Sequence, residues 1–247
     1  MEITVSSSID KSMQPSLFYK AKGEGRPLLV GLHTWSFDRY NQIENMLPLA
    51  QKYDFNLLLP EFRGPNLDTN VNCTEACGSD LAKADVFDAI SYVIDKYDVD
   101  KDNIYLLGLS GGGHMALLLG AADPTLFRAI GAYVPITDLE RWTEENPNYK
   151  KHVLACCSNR TEEMRYRSPV SYYKELSRAN LKIFHGKYDN VVPVGHSMDL
   201  YSKIYAYAPK ARVFLDVFDG GHEIEMDVAM HWILSQYLGK GKVKITG

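Results

Sequence analysis

No basic block runs anywhere in this 247-residue chain, and its net charge is −4. Without clustered lysine and arginine to neutralise phosphates, nucleic acid is not an expected partner. No apolar run approaches the roughly 20 residues that a membrane helix needs, so no membrane partner is expected either. The start, Met1-Glu2-Ile3-Thr4-Val5, carries an acid and lacks the apolar centre of a secretory leader, which makes a cytoplasmic location the expectation. Cysteine is scarce, four in all. Cys73-x-x-x-Cys77 and the adjacent Cys156-Cys157 lack the spacing of zinc ligands, so neither a metal nor another cofactor is expected. Two readings of these thiols stay open: reduced groups in a loop and a cap, which is preferred, or a disulfide between the two regions. Internal repeats, low-complexity tracts and linkers are missing too, and one domain over residues 1–247 is the simplest arrangement.

What is present is ordinary for a soluble domain, 45% hydrophobic and 23% charged residues. Short apolar runs alternate with amphipathic helical stretches. That alternation is the signature of an α/β protein whose mainly parallel, twisted sheet, here of about eight strands, carries helices on both faces. Strands are expected at 2–6, 16–21, 27–32, 55–59, 104–109, 129–134, 181–185 and 212–218. Helices are expected at 40–52, from a Ser79 cap through Tyr97, from Met115 to Ala121, and at 193–206 and 224–238. The 138–177 stretch differs. It is rich in Tyr, Arg and Glu, contains Asn146-Pro147 and Ser168-Pro169, and shows no clear strand, so it reads as a cap-like insertion over the carboxyl edge of the sheet.

The strongest motif is Gly108-Leu109-Ser110-Gly111-Gly112, directly after a strand and directly before a helix. A serine on such a sharp turn is held in strained dihedrals, and flanking glycines let backbone pass where a Cβ would clash. The Gly111 N–H and the helix N-terminus then point at a developing oxyanion. A phosphate-cradling turn is the rival, but no Lys-Ser/Thr pair follows.

A serine hydroxyl needs a base, and the base needs an orienting carboxylate. With this turn the chain order is serine, acid, histidine. His222, in the glycine-rich turn Asp219-Gly220-Gly221-His222-Glu223 after the last strand, is the expected base. His231 lies inside the closing helix, His185 ends a strand, His196 opens a helix and His152 sits in the insertion. The expected acid is Asp189, in the short loop after the 181–185 strand; Asp138, after the preceding strand, is the rival. Asp219 and Glu223 sit too near the histidine in sequence to orient its ring easily.

With these residues placed, the chain resembles the catalytic domain of the prolyl oligopeptidase family and its free-standing esterase relatives. The resemblance rests on Gly108–Ala116, on His185-Gly186-Lys187-Tyr188-Asp189-Asn190-Val191-Val192-Pro193, and on Gly220-Gly221-His222, and it spans residues 25–240. It implies the α/β-hydrolase fold and a triad of Ser110, Asp189 and His222, the assignment already reached. The family's His-Gly-Gly oxyanion segment corresponds to His33-Thr34-Trp35, so the hole is assigned to the N–H of Gly111 and that of Trp35 or Thr34. The side chains of Trp35, His114 and Trp142 are expected to contact substrate, with plain packing open for Trp35. Arg63, in an Arg-Gly loop like the family's, is read as a salt-bridge partner sooner than a substrate contact.

Family peptidases carry a large N-terminal propeller, whereas only a short segment precedes the core here. The expectation is therefore a carboxylesterase that works through an acyl-enzyme on a small-molecule ester, with acetyl and feruloyl groups of plant-derived substrates as the acyl groups. A small oligopeptidase or aminopeptidase is the alternative, and a catalytically dead binding module the third. A homo-oligomer is compatible with the sequence.

Overall fold

A computed structural model describes residues 1–238. Eight strands form one sheet in the order β1-β2-β4-β3-β5-β6-β7-β8. They are β1 (Glu2–Ser6), β2 (Met13–Tyr19), β3 (Arg26–Leu32), β4 (Asn56–Pro60), β5 (Val99–Leu109), β6 (Ala129–Tyr133), β7 (Leu181–Gly186) and β8 (Val213–Phe218). β2 is antiparallel to both β1 and β4, and every other pairing is parallel. The expected mainly parallel α/β sheet is therefore present. Two strands run longer than their apolar cores suggest. β2 begins at Met13 because the ladder with β1 continues to the Ser6–Met13 pair. β5 begins at Val99 because its pairing with Arg26 resumes beyond an irregularity at Pro27 and Leu28.

The central strands are buried on both faces because their alternate side chains enter two different cores. Leu28, Val30, Leu106 and Ile130 point into one core and meet α2 (Asp80–Lys96), α3 (Gly111–Ala122) and α8 (Gly195–Tyr207) through Val86, Met115 and Leu200. Leu29, Leu57, Tyr105 and Tyr133 point into the other. There they meet α1 (Ile43–Tyr53) and α9 (Met226–Leu238) through Met46, Met230 and Ile233. Ser79 caps α2 as expected, its hydroxyl accepting from Ala82 N–H at 3.1 Å.

Between β6 and β7 the chain makes α4 (Leu139–Glu145), α5 (Pro147–Cys156), α6 (Thr161–Tyr166), a 3₁₀ turn (Pro169–Tyr172) and α7 (Tyr173–Leu176), and no strand. A third apolar cluster lies here, joining Trp35 and Cys77 to Ile136, Trp142, Val153 and Cys156. The segment is tied to α2 by the Tyr166 hydroxyl, 2.8 Å from an Asp80 carboxylate oxygen. It is tied to the loop before α2 by Arg167, which donates to the carbonyls of Ala76 and Thr74. The four cysteines are unpaired thiols, and Cys77, Cys156 and Cys157 are buried. Arg63 is buried among Asp85, Asp10 and Glu75, with N···O distances of 2.5, 2.9 and 2.8 Å, so it serves as an ion-pair anchor.

Candidate active site

β3 lies between β4 and β5, so the chain winds outward in both directions from this point. In an open α/β sheet this is the place where the loops leaving the carboxyl ends of the strands diverge and a crevice is expected between them. Trp35 follows β3 and Ser110 follows β5. Asp189 and His222 follow β7 and β8, whose ends are aligned by the Gly186–Phe218 pair.

Ser110 has φ 56° and ψ −116°, a left-handed region that strains any residue with a Cβ. The strain is held by the surroundings: Ser110 N–H donates to Tyr133 O at 2.9 Å, and His114 N–H returns to Ser110 O at 2.9 Å. A side chain at Gly112 would place its Cβ 2.6 Å from Leu32 O, so only glycine lets the start of α3 run against the end of β3. Ser110 is buried but not fully enclosed, at 7% exposure.

The approach at Gly111 is as close. A Cβ there would stand 2.5 Å from Trp35 N, which puts the backbone amides of Gly111 and Trp35 side by side. Among the described residues neither amide donates to a protein acceptor. Two adjacent unspent N–H groups beside a strained serine are what an oxyanion requires. Thr34 does not share this position, which corrects one expectation: its N–H is spent on Asn41 Oδ1 at 3.0 Å.

His222 Nδ1 is 2.7 Å from Asp189 Oδ2. The acid is fixed from its other side, Oδ1 accepting from Val191 N–H at 2.8 Å and Val192 N–H at 2.9 Å. Burial alone would raise the Asp189 carboxyl; the nearby His185 ring and the hydrogen bonds from His222 and Val192 outweigh it and hold the group well below the usual carboxylate range. Asp189 is therefore a buried, permanent anion against one edge of an imidazole that is itself about one-fifth exposed. The opposite nitrogen, His222 Nε2, and the Ser110 hydroxyl form no hydrogen bond to a described residue or to each other. Such bonds commonly tighten only around a reactant. The rival acid, Asp138, is occupied elsewhere as the cap of α4, accepting from Arg141 N–H at 3.1 Å.

Three side chains expected to touch substrate do not face the crevice. Trp142 is wholly buried, its Nε1–H donating to Val191 O at 2.9 Å while its ring stacks on Tyr149. His114 is buried beneath α6, with Nε2 on Arg167 O at 2.7 Å, and burial pushes its pKa down to about 4. The Trp35 indole packs edge-on against Trp142, 4.9 Å between centroids, so this residue meets the crevice through its backbone amide alone. In each case the helices between β6 and β7 cover a side chain that the sequence leaves looking free. Asn146 joins Trp142 on the same acceptor, donating to Val191 O at 3.0 Å, and had no sequence signal beyond its place before a proline. Among the described residues no cluster of His, Cys, Asp or Glu is arranged to hold a metal ion.

Residues 78–237 match the sequence pattern of the prolyl oligopeptidase family. No curated protein matches the chain. Among solved structures, the acylaminoacyl peptidase of Pyrococcus horikoshii is similar over all of this chain, with a TM-score of 0.74 and 19% identity. The chain spans only 42% of that peptidase. An esterase of Pyrococcus furiosus is similar over 97% of this chain and 90% of its own, with a TM-score of 0.73 and 16% identity. A puromycin-hydrolyzing peptidase of Mycobacterium tuberculosis is similar over 96% of this chain and 38% of its own, with a TM-score of 0.73 and 15% identity. At these identities the likeness establishes the α/β-hydrolase fold.

Proposed function

The chain belongs to the prolyl oligopeptidase family and is a serine hydrolase, and from that premise we propose that it cleaves carboxylic esters with Ser110 as nucleophile, His222 as base and Asp189 as the orienting acid. The observation that carries this reading is the strained Ser110 elbow with two unspent amides beside it and a carboxylate-held imidazole after β7 and β8 at the same edge of the sheet. In the first step His222 Nε2 takes the Ser110 proton as Oγ attacks the ester carbonyl. The Gly111 and Trp35 amides receive the tetrahedral oxyanion, and the buried Asp189 charge stabilises the imidazolium. Collapse expels the alcohol, which collects its proton from His222, and leaves an acyl-Ser110. Water activated by the same imidazole then releases the acid.

Ester hydrolysis is favoured over peptide hydrolysis because an alkoxide leaves with less protonation than an amine. The likeness to an esterase matched over nine-tenths of its length agrees with this. The peptidases among the similar structures keep a second reading in view, a small oligopeptidase or aminopeptidase. The proposal takes the 138–177 helices as a cap, a small-molecule ester as the partner and the cytoplasm as the location. No helix among the described residues is long and apolar enough to cross a membrane.

The test pairs p-nitrophenyl acetate with a panel of aminoacyl-nitroanilides. Turnover of the acetate with inert anilides is the expected result, and strong turnover of the anilides alone would sink the ester assignment. A fluorophosphonate should label the wild-type protein and leave Ser110→Ala unlabelled.

A further inference from the structure

Asp189 accepts on both oxygens, but the two sides are held very differently. Oδ1 is fixed by two backbone amides. Oδ2 meets the partly exposed His222 ring and, at 3.4 Å, the Nε2 of a second histidine, His185. Unlike His222, His185 has no exposure at all: it lies at the end of β7, completely buried.

The hydrogen-bond partners of His185 settle where its hydrogen resides. Nε2 is 2.8 Å from Val192 O, a carbonyl that can only accept, so Nε2 carries the hydrogen. Nδ1 is 2.6 Å from the hydroxyl of Ser197, on α8. That hydroxyl is buried and meets no other side-chain or backbone acceptor among the described residues, so its hydrogen points at Nδ1. The ring is thus gripped at both nitrogens: its N–H is given to Val192 O, and Asp189 Oδ2 stands 3.4 Å from the same nitrogen. A closed circuit results, because Val192 also donates its amide to Asp189 Oδ1. The ionisable side chains that bear on Asp189 are His185 and His222.

We propose that His185 is a positioning residue: its buried N–H holds Val192, whose amide holds Asp189 Oδ1, and its ring backs Oδ2 at 3.4 Å, so that it sets the carboxylate that orients the His222 ring. The inference rests on the triad reading above. In the absence of His185, Val192 O would lose its partner, and Oδ2 would be left with the His222 ring alone.

The experiment compares His185→Leu, His185→Gln and Ser197→Ala with wild type in p-nitrophenyl acetate hydrolysis from pH 5 to 9. His185→Leu should lower kcat by about tenfold or more at nearly unchanged KM, the scale on which a partner behind a working side chain acts. Its Oδ2 charge being less shared, it should hold the His222 imidazolium more firmly and move the acid limb of kcat/KM to higher pH. His185→Gln, whose amide can reach the Nε2 position, should recover most of both. Ser197→Ala keeps the ring but loosens it, and should shift kcat and the limb in the same direction by less; it carries the test alone if the leucine variant does not fold. Wild-type kcat and an unmoved acid limb in His185→Leu would overturn the inference. So would a glutamine variant no better than the leucine one, since packing alone would then explain the loss. Ser110→Ala keeps the two claims apart: turnover surviving in that variant defeats the triad itself, whereas a dead Ser110→Ala beside an unaffected His185→Leu defeats only the role of His185.

Discussion

Lowering the pH from 7 to 5 should destabilise this protein through its buried histidines well before any carboxylate is protonated. Burial pushes both His114 and His196 down to about 4 from an ordinary value of 6.5. His114 Nδ1 is buried with no partner among the described residues, so protonation would add an unmet donor there. His114 is held on Arg167 O, while His196 accepts from Thr137 N–H at 3.2 Å and faces Glu145 at 3.1 Å. A folded value below the unfolded one means that the unfolded chain binds more protons throughout the interval. The stabilising contribution is therefore complete above about pH 6.5 and is lost as the pH falls towards 4. Integrated from pH 7 to 5, each ring costs about 2 kcal/mol, and the two together about 4. His33, pushed the same way by burial against the pull of two carbonyls, adds to this. Depressed carboxylates such as Asp189 contribute almost nothing in this window, since their unfolded counterparts titrate only near pH 4. Urea denaturation at pH 7, 6 and 5 reads the effect. With a slope of about 2–3 kcal/mol per molar, the midpoint should fall by about 1.5 M. His114→Gln and His196→Asn should each flatten the dependence by about half. A midpoint independent of pH, or a fall that neither substitution blunts, would refute the reasoning.

Three further outcomes follow from the same geometry. Gly111→Ala should lower kcat by about 10²–10³-fold, because its Cβ would wedge the Trp35 amide away from the oxyanion position, and steady-state kinetics measure it. Trp142→Phe, which keeps one aromatic ring but deletes the donor to Val191 O and leaves part of the buried indole volume empty, should lower stability by at least about 1–3 kcal/mol in chemical denaturation. Cys157→Ser should leave kcat for the acetate unchanged, and Cys77, Cys156 and Cys157 should resist a thiol reagent until the protein is unfolded.

The sequence made the sheet and the elbow legible because their signals are local. An apolar run of five, or glycines flanking a serine, reports directly on burial or close approach. Asp189 and His222 could be singled out for a related reason, each lying in a short turn after a strand. What could not be read is how side chains are spent over long distances. Nothing near Trp142 announces that its indole reaches a carbonyl 49 residues on. Nothing near Thr34 marks its amide as already taken by Asn41. His114 and Trp142 look like pocket-lining groups until the helices between β6 and β7 close over them. His185 carried a signal, its place four residues before the acid, but on a strand those positions need not meet. Only the return of the loop through Val192 brings the second ring back beneath the carboxylate.

The grip of α4 on the loop after β7 bears on how reactants come and go. Trp142 and Asn146 both donate to Val191 O, and Val191 in turn donates to Asp189. If this roof were raised, it would pull on the carboxylate that steers the base. Movement of α4 away from this loop would therefore disturb Asp189, and on the proposed mechanism these helices serve as scaffolding and not as a hinged lid.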